Sequence, residues 1–374
     1  MTLLEVRDLN VSFPTADGVV RAVRGVSFEV EPGRTLGIVG ESGSGKTVLT
    51  QTLLGLTPGA EVSGSALFEG ADLLDLSEDE MRHIRGERIS VIFQDPLTSL
   101  HPLYRIGWQI SEMIRAHEKS VSKKEAADRS VELLRKVGIP KPETRVNDYP
   151  HQFSGGMRQR AMIAMALALD PRLIIADEPT TALDATVQAQ ILDLLLRLQQ
   201  DLGTALIMIT HDLGVVADIA DDVMVMYAGR AAEKAPKRDI FYAAHHPYTK
   251  GLLESIPSSK AAGGRLRPIP GSPPSLINLP SGCKFHPRCG YVFDKCLAEE
   301  PVLHPVAESG SHASACWLPA TAAGLSAEAE ELREQMVAAE RGEEAAEVAA
   351  AAHAELGVSA SENVATGGNE GSVA

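Results

Sequence analysis

Residues Gly40-Glu41-Ser42-Gly43-Ser44-Gly45-Lys46-Thr47 satisfy G-x-x-x-x-G-K-[ST], a spacing whose chemistry is phosphate capture. The glycines let backbone N–H groups close around phosphate oxygens, the lysine reaches the outer phosphates, and the hydroxyl binds Mg²⁺. Downstream, Leu173-Ile174-Ile175-Ala176-Asp177-Glu178 is an apolar run that ends in two carboxylates. A carboxylate at such an edge can hold Mg²⁺ near the phosphates, the role expected of Asp177. Glu178, one residue on, points elsewhere and can take a proton from an attacking water. Ser154-Gly155-Gly156 forms a third group, in which the serine can cap a helix while the glycines expose N–H groups to a second anion.

These groups need elements to hold them. The first forty residues alternate apolar and polar positions in LLEVRDLNVSF and VRAVRGVSFEV, which predicts antiparallel strands. TLGIVG then leads into the glycine loop, and KTVLTQTLLGL follows with helical spacing, so strand, loop and helix come in that order. The helix directs its partial positive charge at the same anion. From about 93 to 169, IGWQISEMIRAHE, KKEAADRSVELLRKVG and RQRAMIAMALAL each place apolar residues on one face, predicting a helical subdomain. LIIAD, VQAQILDLLLRLQQDLG and ALIMIT then favour a parallel sheet covered by helices.

At 374 residues, 44% apolar and 23% charged, the chain reads as globular, with two or three units. Its longest apolar run, Ala161 to Leu169, is far short of the roughly 20 residues that span a bilayer. The first residues, MTLLEVRDLN, show no basic-then-apolar signal, so a cytoplasmic chain is expected. The net charge of −15 argues against general affinity for nucleic acid. From Leu318 onward eleven Glu against two Arg give −9, so the acidity is largely that of the Ala/Glu-rich tail. That tail, 318–374, is expected to be disordered apart from one exposed helix near Ala327 to Leu356. Lys260 to Pro280, rich in Gly, Pro and Ser, reads as a connecting segment.

In this order, the phosphate loop, the Ser-Gly-Gly signature and the Asp-Glu strand resemble the nucleotide-binding subunit of an ATP-binding-cassette transporter. The resemblance implies an α/β phosphate-loop (RecA-like) ATPase core with antiparallel β and helical subdomains, over about 1–250, with ATP and Mg²⁺ as ligands. It implies that two such domains pair head to tail, so that Ser154, Gly155 and Gly156 contact the γ-phosphate held on the partner's phosphate loop. By the same resemblance Gln94, closing ISVIFQ, senses Mg²⁺ and the attacking water and relays to the membrane subunits. His211 in ITHDL contacts the γ-phosphate, Asp184 in TALDA belongs to a loop that communicates across the dimer, and Phe13 in VSFPT stacks on adenine. Phe153 and Met157 stand where Leu and Gln are usual, a change that leaves the backbone donors intact.

FQDPLTSLHP, HHPYTKGLLESIP and GSPPSLINLPSGCKFHPRC look like the ATPases of oligopeptide and dipeptide importers, whose relatives also import nickel. The implied partners are a second ATPase subunit, commonly a related but different chain, two transmembrane permease subunits and an extracellular or periplasmic substrate-binding protein. The subunit would then lie peripherally on the cytoplasmic face of the membrane, without nucleic acid. The same ATPase head also serves DNA-repair and ribosome-associated proteins, which is the alternative reading.

The four cysteines, Cys283, Cys289, Cys296 and Cys316, fall within 34 residues of a small extension expected over 251–317. Their spacing, C-x₅-C-x₆-C-x₁₉-C, lacks the paired C-x₂-C knuckles of most structural zinc sites. Four thiolates also suit a [4Fe–4S] cluster, which the importer resemblance implies. Zn²⁺, with His286 or His312 as alternative ligands, and free thiols remain open. A cluster here is expected to staple the extension, and a redox-sensor role built on it is a third reading.

Overall fold

The computed structural model describes residues 2–181, 183–255, 268–306, 310–321 and 324–325. Leu4–Thr15 and Gly18–Val30 pair antiparallel, from Leu4↔Val30 to Thr15↔Gly18, and Glu61–Phe68 with Ala71–Asp72 complete a four-stranded sheet. Leu4 and Val6 are buried, and so are Leu9 and Val11, although the two pairs differ in parity along the strand. A bulge reconciles them: the register shifts between Val6 and Leu9, and Asp8 takes a φ of 45°. Opposite the bulge stands Gly64, where a Cβ would come within 2.5 Å of the Asp8 carbonyl oxygen.

The second sheet has the spatial order His304–Pro305, Ala313–Ser314, Arg230–Pro236, Asp222–Tyr227, Thr35–Val39, Ala205–Thr210, Leu173–Asp177, Ile89–Ile92. The five strands from Asp222–Tyr227 to Ile89–Ile92 run parallel. Such strands are buried on both faces, which is why LIIA and ALIMI read as unbroken apolar runs. Leu173, Ile175, Ile207 and Ile209 join Leu36 and Ile38 in a core shared with the antiparallel sheet and with Leu49 of the helix Lys46–Thr52. Ile174, Ala176, Leu206 and Met208 face the opposite way, toward the helices Gly155–Ala166 and Ala185–Leu202. Ile106–His117 and Lys123–Lys136 pack on that helical layer through Ile110, Ile114, Ala126 and Leu134.

Beyond Glu254 the described residues return to the sheet. Ala313–Ser314 pairs antiparallel with Arg230–Pro236 at Glu233↔Ser314 and Lys234↔Ala313, and His304–Pro305 adds the outermost strand. Strands of two residues carry no alternation, so the sequence gives no sign of them. Residues 260–267 of the expected connecting segment and the expected tail helix at 327–356 lie outside the described residues. Among the described residues no helix is long and apolar enough to cross a membrane.

Candidate active site

Strand register gathers the site. Val39 pairs with Thr210, Asp177 with Ile209, and Ile92 with Ala176. The turns that begin at Gly40, Glu178 and His211, and the segment carrying Gln94, therefore leave the parallel sheet at one carboxyl edge, where open α/β sheets bind ligands. A cleft of about 1040 Å³ opens there, lined by residues of the glycine loop together with Gln94, Glu178 and His211.

The glycine loop depends on Gly45, which caps the helix Lys46–Thr52 at φ 99° and whose absent Cβ would lie 2.2 Å from the Ala22 carbonyl oxygen. Gly43, at φ 78°, faces open space. Lys46 Nζ donates to the carbonyl oxygens of Gly40 (2.7 Å) and Glu41 (3.0 Å). Burial pushes its pKa below the usual lysine value, against the carboxylates of Glu178, Asp177 and Glu41. Ser44 Oγ is buried with no hydrogen-bond partner among the described residues. Thr47 Oγ1 donates to Asp177 Oδ1 at 3.2 Å, and burial raises the pKa of the Asp177 carboxyl. An open glycine cradle, an orphaned hydroxyl and a buried ammonium fit a phosphate chain, and the paired hydroxyl and carboxylate are hard oxygen donors that fit Mg²⁺.

Three of the expected residues converge on one atom. Glu178 Oε2 accepts from Gln94 Nε2 at 3.2 Å and lies 3.3 Å from His211 Nδ1. Thr181, which sequence reasoning missed, donates its hydroxyl to the same oxygen at 2.9 Å. Glu178 itself holds a φ of 46°, a conformation that costs a non-glycine residue free energy and is often kept at functional sites. Phe13 lines the cleft beside Val20 and Ala22.

Ser154, Gly155, Gly156 and Asp184 do not line this cleft. Ser154 caps Gly155–Ala166 by accepting the Met157 N–H, and Ser154 and Gly155 are exposed. Gly156 packs against Val187, where a Cβ would lie 2.8 Å from Cγ1. Asp184 caps Ala185–Leu202, accepting the Val187 N–H at 3.0 Å. On one chain the signature is thus an exposed helix start, apart from the phosphate loop.

The far wall of the cleft comes from beyond residue 250, through Leu252, Ile269, Pro273 and Leu276. Arg288, only 4% exposed at its side chain, donates Nη1 to Glu41 Oε2 (2.6 Å) and Nη2 to Oε1 (2.9 Å). Its Nε donates to the Pro270 carbonyl (2.8 Å) and its Nη1 also to the Tyr227 hydroxyl (3.3 Å). Tyr248, buried against Tyr227 and Phe285, accepts the Glu41 N–H at its hydroxyl (2.9 Å). The HHPY and HPRC segments mark these residues in the sequence, but nothing local says what they touch.

A second buried link ties the extension to the sheet. Glu233, fully buried, accepts the backbone N–H groups of His245 (2.7 Å) and His246 (3.0 Å) and lies 2.7 Å from His312 Nε2. Burial pushes the Glu233 pKa up, but the His312 and backbone hydrogen bonds outweigh it and leave the pKa below the usual carboxylate value. His246 accepts the Tyr248 N–H at Nδ1, and complete burial lowers its pKa from 6.5 to about 4. Both groups have folded-state values below their unfolded ones, so the unfolded chain binds more protons: His246 lowers stability as pH drops from 6.5 to about 4, and Glu233 adds to the loss as pH falls below 4.5. Unfolding midpoints in denaturant are expected to decline across that window. His246→Asn, which keeps a capping oxygen and removes the titration, is expected to flatten part of the slope; an unchanged slope refutes the assignment.

The expected [4Fe–4S] cluster, with Zn²⁺ as its alternative, is not supported. Among the described residues no group of three or more His, Cys, Asp or Glu is placed to hold a metal ion. The four cysteines line one void of about 20 Å³, so their closeness in sequence does reflect closeness in space. Their surroundings are apolar: Cys283 and Cys289 pack in the core with Phe285, Tyr248 and Ile269, and Cys316 packs with Tyr291 and Leu318. Burial pushes the Cys289 thiol up to about 12 and raises those of Cys283 and Cys316. In these surroundings the cysteines add to the apolar packing of the extension.

Comparison with known proteins accords with this geometry. Residues 23–181 match the ABC transporter family, and residues 232–296 match the oligopeptide/dipeptide transporter C-terminal region. The chain is 53% identical to the oligopeptide transport ATP-binding protein OppD of Bacillus subtilis, over 84% of this chain and 88% of that protein. It is 52% identical to the dipeptide transport ATP-binding protein DppD of Lactococcus lactis, over 84% and 90%. Among solved structures, the dimeric ATP-binding cassette MJ0796 in a post-hydrolysis state with ADP and Pi superposes with a TM-score of 0.57 at 26% identity, over 63% of this chain and 99% of that one. CbiO1 of Clostridium perfringens gives 0.56 at 30% identity, over 64% and 90%. Sharing half its residues with these transport proteins along most of their length, and their cassette fold, the chain belongs to the ABC transporter family as an ATP-binding subunit of its oligopeptide/dipeptide branch.

Proposed function

We propose that this chain hydrolyses ATP to power the import of oligopeptides or dipeptides through a membrane transporter. The observation that carries the chemistry is the convergence of Gln94, Thr181 and His211 on Glu178 Oε2 beside the phosphate loop. In this reading the loop N–H groups beyond Glu41, up to Thr47, and the Lys46 ammonium bind the phosphates, and Phe13 stacks on adenine. Thr47, Asp177 and Gln94 hold Mg²⁺, which when bound neutralises charge on the outer phosphates. Glu178 takes the proton of the attacking water at Oε1, its other oxygen being fixed by Gln94 and Thr181. His211 reaches the γ-phosphate. Lys46 and the loop donors offset the charge of the transferred phosphoryl group.

Two such subunits close head to tail, so that Ser154, Gly155 and Gly156 of one complete the cleft of the other and Asp184 lies at the junction. The exposed helix start of the signature supports this, as does the dimeric state of the MJ0796 cassette. We further propose that the partner ATPase is a related chain, that two permease subunits and a substrate-binding protein complete the assembly, and that the subunit sits on the cytoplasmic face of the membrane. Leu97, Leu103, Tyr104 and Trp108, which follow Gln94, are large apolar residues exposed by 45–77%, a surface suited to helices of a permease. The proposed division is an ATPase domain over 1–250, an extension over 251–317 and a tail over 318–374.

Reconstituting the chain with its permease and partner subunits in vesicles tests the reading. ATP turnover is expected to rise several-fold when peptide-loaded binding protein is added. Turnover indifferent to peptide and binding protein would overturn the transport role.

A further inference from the structure

We propose that Arg288 is a positioning residue of the nucleotide site, acting from the extension through Glu41. The inference rests on the reading of the cleft as the ATP site. Glu41 is the second residue of the phosphate loop and lines the cleft. An uncompensated carboxylate there would set a negative charge beside the incoming phosphates, in a place where partial burial weakens screening. Arg288 spans both carboxylate oxygens, at 2.6 and 2.9 Å, so it offsets the charge and fixes the side chain in one geometry, as only a planar guanidinium can.

The clamp is itself held. Pro270 and Tyr227 accept from two more of its five donors, and the guanidinium stands 5.8 and 5.9 Å from the ring centres of Tyr227 and Phe285. Tyr248 fixes the backbone of the same glutamate through its N–H. Lys46 donates to the Glu41 carbonyl, so a displaced Glu41 also disturbs the ammonium that meets the phosphates. Arg288 touches no reacting atom, and its effect is expected in nucleotide affinity and not in the chemical step.

The test uses the full chain, with ATP titrated into wild type, Arg288→Gln, Arg288→Lys and the double variant Glu41→Gln/Arg288→Gln. Arg288→Gln is expected to weaken ATP binding and raise KM by about 10–100-fold, the scale for stranding one member of a part-buried charge pair, with kcat at saturating ATP within about threefold of wild type. The double variant is expected to recover most of that loss, because no stranded carboxylate remains. A purely structural role would not produce that recovery. Arg288→Lys, with one ammonium where two donors stood, is expected to lose about threefold to tenfold and provides the measurement if Arg288→Gln does not fold. Unchanged affinity in a folded Arg288 variant, or a loss that Glu41→Gln fails to reverse, overturns the inference alone. A wild-type chain that binds no ATP overturns the functional reading and this inference with it.

Discussion

Glu178→Gln is expected to bind ATP as wild type does and to lower the single-turnover hydrolysis rate by about 10²–10⁴-fold, the usual contribution of a positioned base. The amide keeps an oxygen to accept from Gln94 and from Thr181, which now stand 3.2 and 2.9 Å from Oε2, so the local geometry is retained. What is lost is basicity. The variant should therefore accumulate in the ATP-bound state, and if Ser154 and its neighbours meet the partner's phosphate, as a nucleotide-dependent dimer in size-exclusion chromatography. Wild-type turnover in the variant would remove Glu178 from the role of base.

Glu233→Ala is expected to lower stability by about 2–4 kcal/mol, since each buried donor left without its partner costs about 1–3 kcal/mol. Its carboxylate accepts from two backbone N–H groups and meets His312 in a fully buried place. Truncation orphans all three donors. Glu233 also pairs in register with Ser314, so the loss is expected to loosen the extension first. A lower denaturation midpoint, with faster proteolysis beyond residue 300 than within the ATPase motifs, is the expected result. An unchanged midpoint refutes the account.

The motifs proposed to bind and split a phosphate chain are local: eight consecutive residues for the loop, six for the run from Leu173 to Glu178. The parallel strands were legible for a related reason, since burial on both faces leaves unbroken apolar runs. What connects residues far apart left no trace. Arg288 and Glu41 are separated by 247 positions, and no periodicity records such a pairing. The two-residue strands of the extension are shorter than any repeat that could announce them. The cysteines show the opposite hazard: their clustering was real, but clustering alone does not distinguish ligands from core, and the apolar side chains packed around them come from elsewhere in the chain.

The extension also finishes the sheet. Without it Arg230–Pro236 would be the outermost strand, seven residues long with Ala231, Ala232 and Ala235 buried along it, and its unpaired edge would be a template for another chain. Ala313–Ser314 covers part of that edge, and His304–Pro305 then presents only two residues, one of them a proline with no N–H to offer. The segment that holds the phosphate loop therefore also keeps the folded subunit from adding strands of its neighbours, a protection against edge-to-edge aggregation.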